Sequence, residues 1–136
     1  MSEYSLTHLS DSELLTGLKE LVDAERRRTA QLLVDLGQFD ARRLYLQASH
    51  DSMLSYCVSH LHMDEDEAPD FITAARAARV FPVICEAFAE GKLHLRAIAT
   101  IAPYLTPENV EGLMVTAANK GVYELAALLD DMFPRA

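Results

Sequence analysis

Few residue types in this 136-residue chain can do chemistry, and they gather in two stretches. Cys57, His60, His62, Asp64 and Asp66 offer thiolate, imidazole and carboxylate, the ligand types for zinc. No CxxC or HExxH spacing fixes them, however, and a helix followed by a turn would scatter their directions. A calcium loop fails as well, since Ala68 and Pro69 stand where an oxygen ligand and the required glycine would fall. Neither a metal nor any other cofactor is expected. Cys57 or Cys85 could act as a nucleophile with His60 or His94 as base. A catalytic thiol wants an accessible, electropositive setting, whereas Tyr56-Cys57-Val58 and Val83-Ile84-Cys85 read as edges of a core. Cys57, His60, Phe71, Cys85 and His94 are thus candidates for lining a pocket, and no catalytic residue is assigned. Gly-rich phosphate loops and GxSxG elbows are absent from the sequence.

Positive charge concentrates at Arg26, Arg27 and Arg28, with Arg42 and Arg43 further on. Glu20, Asp23 and Glu25 sit at pairing distance along a helix, which favours a solvated, salt-bridged face over a phosphate site. Arg76 and Arg79 complete the candidate DNA contacts. The formal net charge is −9, from 21 acidic and 12 basic side chains. Residues 1–50 carry 8 acidic and 6 basic groups, 51–100 carry 8 and 4, and 101–136 carry 5 and 2, so no third is basic. Binding driven by phosphate neutralisation is disfavoured, though a local basic face would still permit it.

The elements that must position these residues are helical. Half the residues are hydrophobic, Trp is absent, and Gly and Pro number only 5 each. One all-α domain over 1–136 is expected: a compact bundle of six or seven helices. Ser10-Asp-Ser-Glu13 spells a capping box. From there Leu14, Leu18, Leu21, Leu32, Leu36 and Phe39 keep helical spacing, predicting a long helix over about 11–45, either continuous or else bent or broken near Gly37. About 35 residues at 1.5 Å each exceed what a domain of this size needs, and the excess could pack on a second copy.

Asp51 or Ser52 caps the next helix, which reaches Leu61. A turn at His62 to Asp64 follows, then a helix starting within 64–67 and ending at Arg79, with Pro69 in its first turn. Residues 52–79 therefore read as a helix-turn-helix-like hairpin. Asp64, Glu65, Asp66, Glu67 and Asp70 crowd the end that would approach DNA. Further helices are expected over Val83 to Glu90, closed by Gly91, over His94 to Pro103, from Thr106 to about Asn119-Lys120-Gly121, and over Val122 to Phe133. Two buried free thiols, no membrane-length apolar run and a start, Met1 to Leu6, without a basic leader point to a cytoplasmic protein.

A family resemblance covers nearly the whole chain. Asp23 to Leu33, Asp40 to Tyr45, Ser52 to Val58, Ala74 to Arg79 with Phe81-Pro82, Gly91 to Leu95 and Ala102 to Asn109 together resemble the N-terminal helical region of bacterial HNH-endonuclease-type proteins. The resemblance implies an isolated accessory domain, a truncated chain or a stand-alone relative, because the nuclease centre of such proteins lies in a separate C-terminal segment that has no counterpart here. The chain departs from the pattern after Glu67-Ala68. Pro69, Asp70 and Phe71 stand where Tyr, Lys and Arg would be expected, and Val80 replaces a basic residue, as divergence or redesign of a natural scaffold would produce. Phe71 and Val80 beside Phe81 would form an apolar patch suited to a partner. The leading expectation is a non-catalytic recognition or assembly module, binding a protein partner or itself through residues 52–88. A DNA-binding helix-turn-helix and a small-molecule or catalytic pocket are the alternatives.

Overall fold

The computed structural model describes residues 8–118 and 120–134. The start at Met1 to Leu6, Asn119 and the final Arg135-Ala136 lie outside the described residues. Among those described there is no strand, and the chain is all-α. The helices are α1 (Asp11–Ala41), α2 (Leu44–Gln47), α3 (Met53–Ser55), α4 (Ala68–Val80), α5 (Val83–Ala89), α6 (Leu95–Ile101), α7 (Val110–Ala117) and α8 (Val122–Met132). A wide π-helical turn, Tyr56–His60, continues α3, and a tight 3-10 turn, Ala102–Tyr104, continues α6.

The capping box at the head of α1 forms as its sequence predicts. Ser10 Oγ accepts from the Glu13 amide at 3.2 Å, and Glu13 Oε1 accepts from the Ser10 amide at 3.2 Å. The helix then runs for 31 residues without interruption. It is not broken at Gly37. Gly37 is instead buried at the crossing of α1 and α4, where an added Cβ would lie 3.0 Å from the Ala75 carbonyl oxygen and 3.4 Å from Arg79 Cβ. Its missing side chain lets two backbones approach.

The long helix also ends earlier than the expected Tyr45. Arg42 closes it and Arg43 takes a left-handed conformation, φ 53°, which no helix can carry through. That break has no Gly or Pro to mark it.

Ser52 caps α3, its Oγ accepting from the Ser55 amide at 3.1 Å. His62, at φ 59°, turns the chain out of the π-helical turn, and α4 begins at Ala68 rather than within 64–67. The acidic stretch before it is a turn in its own right: Asp64 Oδ1 accepts from the Asp66 amide at 2.7 Å, and the Asp64 carbonyl accepts from Ala68 at 2.9 Å. The connection between the two hairpin helices is therefore Leu61 to Glu67, longer than a three-residue turn. Gly91 closes α5 at φ 81°, as expected of a glycine just past a helix end. Thr106 and Asn109 bond each other across the turn before α7, with Thr106 amide to Asn109 Oδ1 at 2.7 Å and Asn109 amide to Thr106 Oγ1 at 3.2 Å, and α7 itself starts at Val110, after Asn109, rather than after Thr106.

One core joins these elements. The second half of α1 packs on α4 and α5, α4 packs on α6, and α8 packs on α6. Leu33, Ile84, Ile98, Ile101, Leu113, Leu125 and Leu129 are its largest fully buried side chains, and the small residues Ala74, Ala75 and Ala78 let α4 pass through its middle. Two ion pairs clamp α4 from the rim: Arg76 forks onto both carboxylate oxygens of Asp40 at 2.8 and 3.1 Å, and Arg96 of α6 reaches Asp70 at 3.2 Å. No described helix is long and apolar enough to cross a membrane.

Candidate functional site

The two thiols are set for packing. Cys57 is fully buried and Cys85 half-buried, and both are free. Burial pushes the Cys57 thiol above its ordinary value, and the Asp40 charge adds to this; for Cys85, burial leads and Glu86 adds. A thiol held protonated is a poor nucleophile and a poor metal ligand. His94 is a helix cap rather than a base: its Nδ1 accepts from the Ala97 amide at 3.3 Å, which leaves Nε2–H to donate to the Lys120 carbonyl at 3.4 Å. Among the described residues no three His, Cys, Asp or Glu side chains converge as metal ligands would.

His60 belongs to a different grouping, which the sequence does not announce. Its ring stacks on Tyr56 at 4.8 Å, Tyr56 meets Phe39 of α1 at 4.5 Å, and His50 stands edge-on to Tyr56 at 5.5 Å. His50 Nδ1 and Ser55 Oγ are 2.9 Å apart. The π-helical turn carries Tyr56 and His60 onto one side, four residues apart, and the end of α1 supplies Phe39 beneath them. No carboxylate orients His50 among the described hydrogen bonds, so the serine–histidine contact lacks the third member that activates a hydroxyl. The grouping pins the Ala48–Ser52 loop to α1.

Two of the candidate DNA contacts are engaged in ion pairs. Arg76 is committed to Asp40, and Arg26 pairs with Asp23 at 3.6 Å while lying over Gly91. Arg79 stands at the α1–α4 crossing, about 13 Å along α1 from Arg28. Arg27 and Arg28 are exposed and join no ion pair among the described residues.

The residues considered for a partner surface also separate. Phe71 and Phe81 are half-buried against the core, Asp70 is tied to Arg96, and only Pro69 and Val80 are exposed, Val80 at 63%. Nine residues apart on one helix, Phe71 and Val80 point to opposite sides of it. They frame the core rather than one patch.

A row of exposed aliphatic side chains lies elsewhere. The first half of α1 projects from the bundle: its buried residues are Ala30, Leu33, Leu36 and Gly37, all in the second half. Leu14, Leu15, Leu18, Leu21 and Val22 are exposed at 43, 70, 62, 69 and 42%. At 100° per residue they occupy one arc of about 120°, the width of a packed face. The reason is length. A 31-residue helix spans about 46 Å, while α4 with 13 residues and α5 with 7 cover only about 20 and 10 Å. The arc was legible as periodicity; that no described element covers it was not.

No family model, curated protein or solved structure matches this chain.

Proposed function

We propose that this chain is a non-catalytic helical assembly module, and that it engages a partner helix along the apolar arc of the projecting half of α1. The observation that carries the reading is five large aliphatic side chains on one face of α1, every one of them 42% exposed or more. Monomeric soluble proteins seldom leave such a row facing water, and contiguous apolar surface of this kind marks a docking face. The same row lies in the helix-in-groove and helix-on-helix spacing of i, i+3, i+4 and i+7 anchors.

Other features agree with a binding role. Cys57 is buried and Cys85 half-buried, His94 is a cap, and Arg76 of α4 and Arg96 of α6 are used to hold the bundle together. The resemblance to the N-terminal helical region of HNH-endonuclease-type proteins points the same way, towards an accessory domain. We assign the docking face to α1 rather than to residues 52–88, whose two aromatic candidates are half-buried against the core.

The test is a photo-crosslinking residue placed singly at Leu18, on the arc, and at Arg27, on the opposite side of the same helix, in cells making the full chain. A discrete adduct from position 18 and none from position 27 is expected. Equal labelling at both positions, or none at 18, would overturn the reading.

A further inference from the structure

The structure assigns the occupant of this face: resting on the docking role just proposed, we infer that it is the same half-helix of a second copy, lying antiparallel to the first. The argument is one of register. Leu14, Leu18 and Leu21 follow a heptad seam, with Asp11 and Glu25 at the a positions on either side and Arg28 at the next d. An antiparallel pair aligned so that Leu18 faces Leu21 of the second copy stacks two leucine layers at its centre. The same alignment sets Leu14 against Glu25, whose methylene stem can lie along it, and closes both ends with Asp11 against Arg28.

The flanks agree with this alignment. On one side of the seam stand Leu15 and Val22, both exposed, and on the other Gly17 and Ala24. In an antiparallel pair like flanks meet, so aliphatic side chains pack on aliphatic ones while Gly17 and Ala24 face their small counterparts, and the axes can approach on that side. Among the described residues nothing lies within 4 Å of a Cβ built on Gly17.

Charge selects the direction. Along the projecting half the acids Asp11, Glu13, Glu20, Asp23 and Glu25 come first, relieved only by Lys19, and Arg26, Arg27 and Arg28 follow. A parallel pair would place Asp11 on Asp11, Glu25 on Glu25 and Arg28 on Arg28, like upon like in three layers. The antiparallel pair brings each acidic start against the other copy's arginines and opposes the two helix dipoles. It also separates the two bundles, each of which begins beyond Arg28, to opposite ends of an overlap of about 27 Å. A parallel pair would bring both bundles to the same end.

Sedimentation velocity on the purified full chain tests this, over concentrations from micromolar to about 1 mM, where even a weak contact would register. A reversible dimer is expected. Leu18→Glu with Leu21→Glu should leave a monomer whose bundle unfolds in urea as the parent does, since both side chains are exposed. Arg28→Glu should weaken the dimer at least about tenfold, and Asp11→Arg added to it should restore association, because the layer is then reversed but still complementary. A parent chain monomeric throughout, a dimer indifferent to the leucine changes, or a charge reversal without rescue would each overturn the inference. A monomeric parent that still gives a position-18 adduct to a different protein would sink the second copy while leaving the docking role standing; loss of that adduct as well would remove both.

Discussion

At the scale of single residues, environment decides between chemistries that composition leaves open. A thiol is reactive only as its anion, and both Cys57 and Cys85 are held protonated, chiefly by burial. The sign of the stability effect follows. Below the ordinary thiol value, near 9, both folded and unfolded chains keep the proton and pH has no leverage. Above it the unfolded chain ionises first while the folded one resists, so the unfolded state is favoured progressively as pH rises. Urea midpoints should accordingly fall above about pH 9, and less so in Cys85→Ala, while a thiol reagent at pH 7 should modify the native chain far more slowly than the unfolded one. A midpoint flat to pH 10, or one falling equally in the variant, would contradict this account for Cys85. Gly37 makes a second case. Replacing it with Leu would drive a side chain into the Ala75 carbonyl 3.0 Å away, and should destabilise the bundle by about 3 kcal/mol in urea unfolding, whereas Gly112→Ala, on a helix face open to solvent, should be neutral or stabilise by about 0.5 kcal/mol.

At the scale of the element, what the sequence made legible were the ends that carry their own chemistry. Ser10 with Glu13, Ser52 and Gly91 each act through atoms of their own side chain or the lack of one, so their roles can be read locally. Arg43 and His62 break the chain in left-handed conformations without being Gly or Asn: the stretch after Arg43 is held by a contact across it, Phe39 with Tyr56, and the turn at His62 is closed by the Met63 amide donating to the Cys57 carbonyl. The π-helical turn is hidden for the same reason. Exposure of the first half of α1 is hidden for another, since periodicity reports which side of a helix is apolar and never how much neighbouring helix exists to cover it. That half is a helix held mainly by its own cap, and its response should be local. Ser10→Ala should lower helical content over the first turns by about 1 kcal/mol of capping, read by hydrogen exchange of the amides at 13–16, with the urea midpoint of the bundle unchanged. Acid should do the same. The hydroxyl and amide of Ser10 hold the Glu13 carboxylate below its ordinary 4.5, so its contribution is complete above that value and is lost as pH falls through the lower folded one. A bundle that unfolds together with the arm on either change would refute the independence of the two.

At the scale of the molecule, this separation has a consequence that protease can read. The bundle from Ala30 onward is one core in which α1, α4, α5, α6 and α8 share buried side chains, and its arginines Arg76 and Arg96 are fixed in ion pairs across helices. Lys19, Arg27 and Arg28 lie on a stretch with no such partners among the described residues, and a helix of fewer than about 15 residues is marginal in water without packing. Local opening of the arm therefore requires far less free energy than opening of the core, and cleavage follows the population of the open form. Trypsin acting on a dilute, native chain should cut first at Lys19 and within Arg26 to Arg28, yielding a resistant fragment that begins near Thr29, before any product ending at Arg76 or Arg79 appears. If the face is covered by a second copy, raising the protein concentration at a fixed ratio of protease to chain should slow those early cuts, while Leu18→Glu should abolish that protection without hastening attack on the bundle. Early cleavage at Arg76 or Arg79 would show that the arm and the core open as one unit, and the division of this chain into a packed bundle and a projecting docking helix would fail with it.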